Sequence, residues 1–169
     1  IKGGNKTAQL LSGGDAEVVC WEGVRDRLTS KYSMNWLDYD ILQTPHHCSW
    51  HSLSHDSLSK KGENAKTSEK AIEVFERAKE KALVISSSKA IEDDEKDPPA
   101  YRAKEEFEKI VDKVQWQFLC VSDHKKNGEN ISLEIEISDD GVKKIAASAL
   151  GMAESSCTAV NRQGGGGYS

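Results

Sequence analysis

The stretch "YDILQTPHHCSWHSLSHD", residues 39–56, places four of the chain's five histidines within ten residues, directly after a short apolar run. The apolar run "YDILQTP", residues 39–45, predicts a strand that ends at Pro45. The histidines then follow in a loop at the carboxyl end of this strand. Because imidazole is a common zinc ligand, this concentration of histidine predicts a metal site.

Segments typical of strands and helices alternate on both sides of this stretch. Their order predicts an α/β domain, with helices flanking a mixed sheet. We expect residues 1–145 to form the folded part and residues 146–169, which are small and glycine-rich, to form a flexible tail. Residues 7–15 predict a strand followed by a tight loop. The other predicted strands are 39–45, 83–88, 116–122 and 130–138, with a turn at Asp140–Gly141, and the predicted helices are 16–32, 68–82 and 100–114.

The composition excludes some classes of protein. The 169 residues suffice for one domain, and the net charge of -5 gives no whole-chain attraction for nucleic acid. No apolar run approaches the roughly 20 residues that span a bilayer, and no secretion leader opens the sequence. The four cysteines form no CxxC pair, so we expect reduced thiols in a cytoplasmic protein.

Two predicted strands end in side chains that can bind a metal. Asp15 follows the glycine turn after the first strand, and His46 and His47 follow the second. If these strands are parallel neighbours, their carboxyl ends lie at one edge of the sheet. Zinc accepts a combination of nitrogen and oxygen ligands. The sequence therefore predicts a metal site from Asp15 with His46 or His47.

Three segments carry a resemblance to a known family. "LLSGGDAE", "YDILQTPHHCSWHSLS" and "ALVISSS" follow one another in the order and spacing of the later half of the metallo-β-lactamase fold. The similar branch is the one that includes the hydrolase domain of DNA-uptake competence proteins. The resemblance covers roughly residues 7–120. It implies half of a four-layer αββα sandwich, with the active site at the edge between two sheets.

The resemblance also implies a chemistry. Family members hydrolyse ester-type bonds, phosphodiesters among them, with a hydroxide bound to two zinc ions, or to manganese. Asp15 would bridge the two ions, and His46 or His47 would be a terminal ligand, with His47 favoured. Ser49 would lie near the site.

Two departures from the family pattern qualify this interpretation. Cys48 stands where the family usually has glycine, and no histidine precedes His46, so the HxHxDH metal motif is absent. We expect the chain to be the second half of a complete enzyme. Its exposed sheet face would be covered by the N-terminal half, by another chain or by a second copy. The alternative is a non-catalytic interaction domain that has kept the fold and lost the metal motif.

The same histidines permit other sites. His47, His51 and His55 are spaced four apart, so on a helix they would share one face and could hold one zinc ion. A further site could combine Ser49 with His51. Cys48 beside the histidines could be a nucleophile, which we rank below the metal site.

Overall fold

The computed structural model describes residues 2–3, 6–94, 96–115, 117–138 and 141–145. The strands are β1 (Lys2–Gly3), β2 (Lys6–Thr7), β3 (Leu10–Ser12), β4 (Tyr39–Gln43), β5 (Ala78–Ser86), β6 (Phe118–Cys120), β7 (Lys125–Lys126), β8 (Glu129–Asn130), β9 (Glu134–Ser138) and β10 (Gly141–Ile145). The α-helices are α1 (Val18–Ser30), α2 (Leu58–Lys61), α3 (Glu69–Phe75) and α4 (Tyr101–Lys113). The predicted alternation of strands and helices is confirmed.

The central element is a four-stranded sheet in the order β3–β4–β5–β6, and each neighbouring pair is parallel. Helix α1 connects β3 to β4, helices α2 and α3 connect β4 to β5, and α4 connects β5 to β6. Helical crossovers of this kind return the chain to the same end of the sheet. The carboxyl ends of all four strands consequently lie along one edge.

The prediction of a mixed sheet was wrong for the described strands. The four-stranded sheet is entirely parallel, and the antiparallel pairs β1–β2, β7–β8 and β9–β10 form separate two-stranded sheets. The segment predicted as one strand over residues 130–138 becomes β9 at Glu134–Ser138. It pairs with β10, which follows it directly in the chain, rather than with the parallel sheet.

Three helices pack together over one face of the sheet through an aromatic cluster. Trp21 of α1 meets Phe75 of α3 edge-on, with ring centroids 4.9 Å apart, and Phe75 meets Phe107 of α4 at 5.2 Å. These three rings belong to the same buried core as Leu42 and Val84 from the central strands. Offset and edge-on aromatic pairs add stability beyond the burial of their area. This core fixes where the strand ends lie.

The opposite face of the sheet is also apolar. Ile41 and Leu83 are paired across β4 and β5 and are 6% and 0% exposed, although they lie outside the core under the helices. Leu10, the partner of Ile41 on the edge strand β3, is 50% exposed. Strand β10 lies against β5, and β9 lies against β1 and β2. The second face is therefore shielded near its centre and open at β3.

The predicted helix over residues 68–82 was wrong in its second half. Helix α3 ends at Phe75, and the chain enters β5 at Ala78, which pairs with Tyr39 of β4. The segment "AKEKA" has a high helix propensity, but pairing with β4 overrides it. Tyr39 is fully buried and its hydroxyl donates to the Phe75 carbonyl, which holds the junction in place.

Other expectations fall outside the described residues. The tail 146–169 and Asp140 of the predicted turn are among them. Within the part of the chain that the structure describes, no helix is both long and apolar enough to cross a membrane.

Candidate functional site

The loops after β3 and β4 are hydrogen-bonded to each other. The backbone N–H of His46 donates to the carbonyl oxygen of Gly14 at 2.8 Å. Gly14 has a φ of +54°, a conformation that glycine adopts without strain. The parallel pairing of β3 with β4 thus brings the segment that carries the exposed Asp15 beside the histidines. This is the arrangement that the spacing of the two motifs predicts.

Three consecutive residues of the histidine loop have a left-handed backbone. The φ angles of His46, His47 and Cys48 are 48°, 56° and 67°. Non-glycine residues rarely adopt this region, and each such residue costs on the order of 1–3 kcal/mol unless its surroundings compensate. Cys48 stands where the resembled family has glycine, and it takes the backbone conformation that glycine favours. Strain of this kind is concentrated at functional sites in proteins.

The ring of His47 is oriented by the next strand. Its Nδ1 atom lies 2.7 Å from the carbonyl oxygen of Ser87, directly after β5. A carbonyl oxygen only accepts, so Nδ1 carries the proton and Nε2 keeps a lone pair. The side chain of His47 is exposed, and Nε2 has no hydrogen-bond partner among the described residues. Metal-binding histidines have this second hydrogen bond almost always.

His46 has a different environment. Its side chain is half-buried, and its Nδ1 atom is buried without a hydrogen-bond partner among the described residues. Its ring consequently has no bond that fixes its tautomer. Of the two neighbouring histidines, His47 is the one whose ring is oriented by a hydrogen bond among the described residues.

The far end of the histidine loop is anchored through Trp50, which is 1% exposed. Its backbone N–H donates to Oδ1 of Asp97 at 3.1 Å, and its indole N–H donates to the carbonyl of Asp56 at 2.8 Å. The guanidinium of Arg102 lies over the indole ring, 4.8 Å from its centroid. A cation over the face of a tryptophan ring is attracted by the ring's quadrupole.

His47, His51 and His55 do not converge. The segment forms two short 3-10 turns, Pro45–His47 and Trp50–Ser52, rather than a helix that would align the three rings. His51 lies 3.9 Å from Asp97, and His55 lies 3.1 Å from Glu22. Over the described residues there is no group of three or more histidine, cysteine, aspartate or glutamate side chains that could hold a metal ion.

Ser49 has a local structural role. It is fully buried, and its hydroxyl accepts the backbone N–H of His51 at the start of the second 3-10 turn. The Ser49 hydroxyl and the backbone N–H of His51 therefore stabilise the conformation of the loop.

Cys48 is buried beneath the histidines. It is 0% exposed, and burial raises the pKa of its thiol to about 12. Near neutral pH the thiol remains protonated, and a protonated thiol is a poor nucleophile. This environment argues against the nucleophile hypothesis.

Two residues that hold the histidine loop at the carboxyl edge of the sheet were not predicted from the sequence. Ser87 acts through its backbone carbonyl, which no side-chain pattern reveals. Asp97 lies in the connection between β5 and α4, for which the sequence analysis predicts no site residue, although the following prolines and helix α4 could have indicated a fixed position.

No protein-family model, curated protein or solved structure matches this chain. The class that the structure defines is an α/β domain with a four-stranded parallel sheet and flanking helices.

Proposed function

We propose that this chain carries part of the metal site of a hydrolase with the metallo-β-lactamase fold. The observation that carries the proposal is the hydrogen bond from His47 Nδ1 to the Ser87 carbonyl, which leaves Nε2 free at the carboxyl edge of the sheet. In this site His47 is a terminal ligand and Asp15 is the carboxylate that bridges two ions. His46 lines the site.

The fold supports this proposal in two ways. The parallel neighbours β3 and β4 end beside each other, so the Asp15 and His47 segments meet at one edge. The helices cover one face of the sheet, whereas the other face is apolar and open at Leu10. A sheet with helices on one face and an apolar second face is what one half of an αββα sandwich would contribute.

The donor set fits zinc in type. An imidazole nitrogen and a carboxylate oxygen are both ordinary zinc ligands, and manganese also accepts them. The other ligands would come from the N-terminal half of the enzyme, from another chain or from a second copy lying over the open part of the sheet at β3. Bound zinc would supply a hydroxide at neutral pH and polarise an ester-type substrate. The chain's own residues would position the His47 ligand. The Ser87 carbonyl fixes the orientation of the His47 ring, and the strained loop places this ring at the site.

The substrate is an ester-type bond, and we favour a phosphodiester. The net charge of -5 does not favour nucleic acid, so a small phosphodiester is the appropriate probe. We propose a cytoplasmic location for the protein, because Cys20, Cys48 and Cys120 are free thiols.

The alternative function is a non-catalytic interaction domain. The half-exposed Leu10 on the edge strand β3 favours it, because an open apolar edge is suited to pairing with a partner chain. In this case the histidine loop would be structural, and substitution of His47 would leave partner binding unchanged.

A hydrolysis assay separates the two functions. The substrate is bis(p-nitrophenyl) phosphate, with zinc or manganese, and the enzyme is the full natural protein in wild-type, Asp15→Ala, His47→Ala and His55→Ala forms. We expect the first two substitutions to lower kcat/KM about 100-fold or more, and His55→Ala to have little effect. Hydrolysis that survives both Asp15→Ala and His47→Ala would contradict the proposal.

A further inference from the structure

The loop between β5 and α4, which begins at Ser87, makes two hydrogen bonds to the histidine loop beyond the one between Ser87 and His47. Oδ1 of Asp97 accepts the backbone N–H of Trp50 at 3.1 Å, and the N–H of Ala100 donates to the carbonyl of Cys48 at 3.0 Å. The Asp97 side chain is only 15% exposed. The two hydrogen bonds flank Ser49, so they hold the chain immediately after the left-handed segment.

The left-handed segment needs such contacts. Three consecutive positive φ angles at His46, His47 and Cys48 are unfavourable for an unconstrained chain. At one end, the N–H of His46 is held by Gly14. At the other end, Oδ1 of Asp97 accepts the N–H of Trp50.

We propose that Asp97 is a positioning residue: it fixes Trp50 and thereby keeps the histidine loop in the conformation that presents His47 to the metal site. Its second oxygen, Oδ2, lies 3.9 Å from Nε2 of the exposed His51. Asp97 acts through the backbone and touches neither the ion nor the substrate. The effect of Asp97 on metal binding rests on the proposed function. Its effect on the orientation of the His47 ring does not depend on a bound metal.

The test uses matched substitutions in the β5–α4 loop. Asp97→Ala removes the acceptor, whereas Asp97→Asn removes the charge and keeps an oxygen that can accept from Trp50. Asp93→Ala, at an exposed position of the same loop, is the control. If Asp97→Ala does not fold, Asp97→Glu replaces it, because the longer side chain displaces the carboxylate.

Two readouts are measured on each variant. The first is the NMR resonance of the His47 Nδ1–H, which reports the bond to Ser87. The second is zinc affinity, measured by competition with a chromogenic chelator. We expect Asp97→Ala to lose the resonance and to weaken zinc binding about tenfold or more. Asp97→Asn should keep the resonance and most of the affinity, and Asp93→Ala should match the wild type.

The outcomes separate this inference from the proposed function. A folded Asp97→Ala variant that keeps the His47 resonance overturns the positioning role, and so does an Asp97→Asn variant that loses it. If the resonance is lost while zinc affinity is unchanged, the positioning does not serve the metal site and the inference fails. If the wild type binds no zinc, the proposed function fails, and the resonance alone decides whether Asp97 positions His47.

Discussion

The Nδ1 atom of His47 lies 2.7 Å from the carbonyl oxygen of Ser87, a residue 40 positions further along the chain. His47 follows β4 and Ser87 follows β5, so this bond joins the carboxyl ends of two neighbouring parallel strands. Because the carbonyl can only accept, the bond selects the tautomer in which Nε2 has the free lone pair. A strand-end histidine is thereby held in the tautomer whose Nε2 is unprotonated.

The thiols are predicted to differ sharply in reactivity. Cys20 is exposed, whereas Cys48 is buried with a pKa raised to about 12. In a Cys157→Ser background near neutral pH, an aromatic disulfide reagent should label Cys20 rapidly and Cys48 only after denaturation. Mass spectrometry of the labelled peptides gives the assignment, and Cys20→Ser should remove the rapid phase. Rapid labelling of native Cys48 would show that the loop opens readily.

The glycine turn after β3 is predicted to be sensitive at Gly13. A Cβ atom there would lie 2.2 Å from Cζ2 of Trp21, whose ring is buried in the aromatic core. We expect Gly13→Ala to lower the free energy of unfolding by about 1–3 kcal/mol, measured by urea denaturation.

Gly23 is the matched control for this substitution. It lies inside α1, where an added Cβ meets open space, so Gly23→Ala should stabilise the protein by roughly 0.5–1 kcal/mol. Equal effects at the two glycines would mean that the contact with Trp21 is unimportant.

Ser68 is predicted to stabilise the fold in two ways. Its hydroxyl accepts the N–H of Ala71 as the N-cap of α3 and donates to Glu22 at 2.6 Å. Loss of the cap in Ser68→Ala should cost about 1 kcal/mol near neutral pH, measured by urea denaturation. Ser59→Ala, at an exposed position, is the control.

The same substitution should alter the dependence of stability on pH. The Ser68 hydroxyl and then His55 lower the pKa of Glu22 from its ordinary value of 4.5. A carboxyl whose pKa is lower in the folded state stabilises the fold above its unfolded pKa, and this stability is lost as the pH falls through the folded value. Ser68→Ala should therefore reduce the loss of stability in acid. An unchanged acid profile would show that Ser68 does not set the pKa of Glu22.

The sequence predicts those parts of the fold that depend on local patterns. The apolar runs before Asp15 and His46 become parallel neighbours, and the amphipathic segment after Pro99 becomes α4. The start of β5 at Ala78 could not be predicted, because a helix-favouring segment is drawn into the sheet by pairing with Tyr39.

The candidate site is likewise predictable only where it depends on local sequence patterns. The pattern predicts Asp15, His46 and His47 at one edge, and the contact between Gly14 and His46 brings the two loops together there. Whether they bind metal stays a prediction. The partner of His47 is a backbone carbonyl 40 residues away, and such a contact leaves no mark in side-chain spacing. The resemblance favours His47, and the folded arrangement adds the hydrogen bond that distinguishes its ring from that of His46.

Titration with Co²⁺ tests the central claim most directly, because the visible absorption of bound cobalt reports its ligands. The full natural protein should show saturable absorption that is lost in Asp15→Ala and His47→Ala and retained in His55→Ala. An absorption band that survives His47→Ala, or no band in the wild type, would contradict a metal site at the carboxyl edge of this sheet.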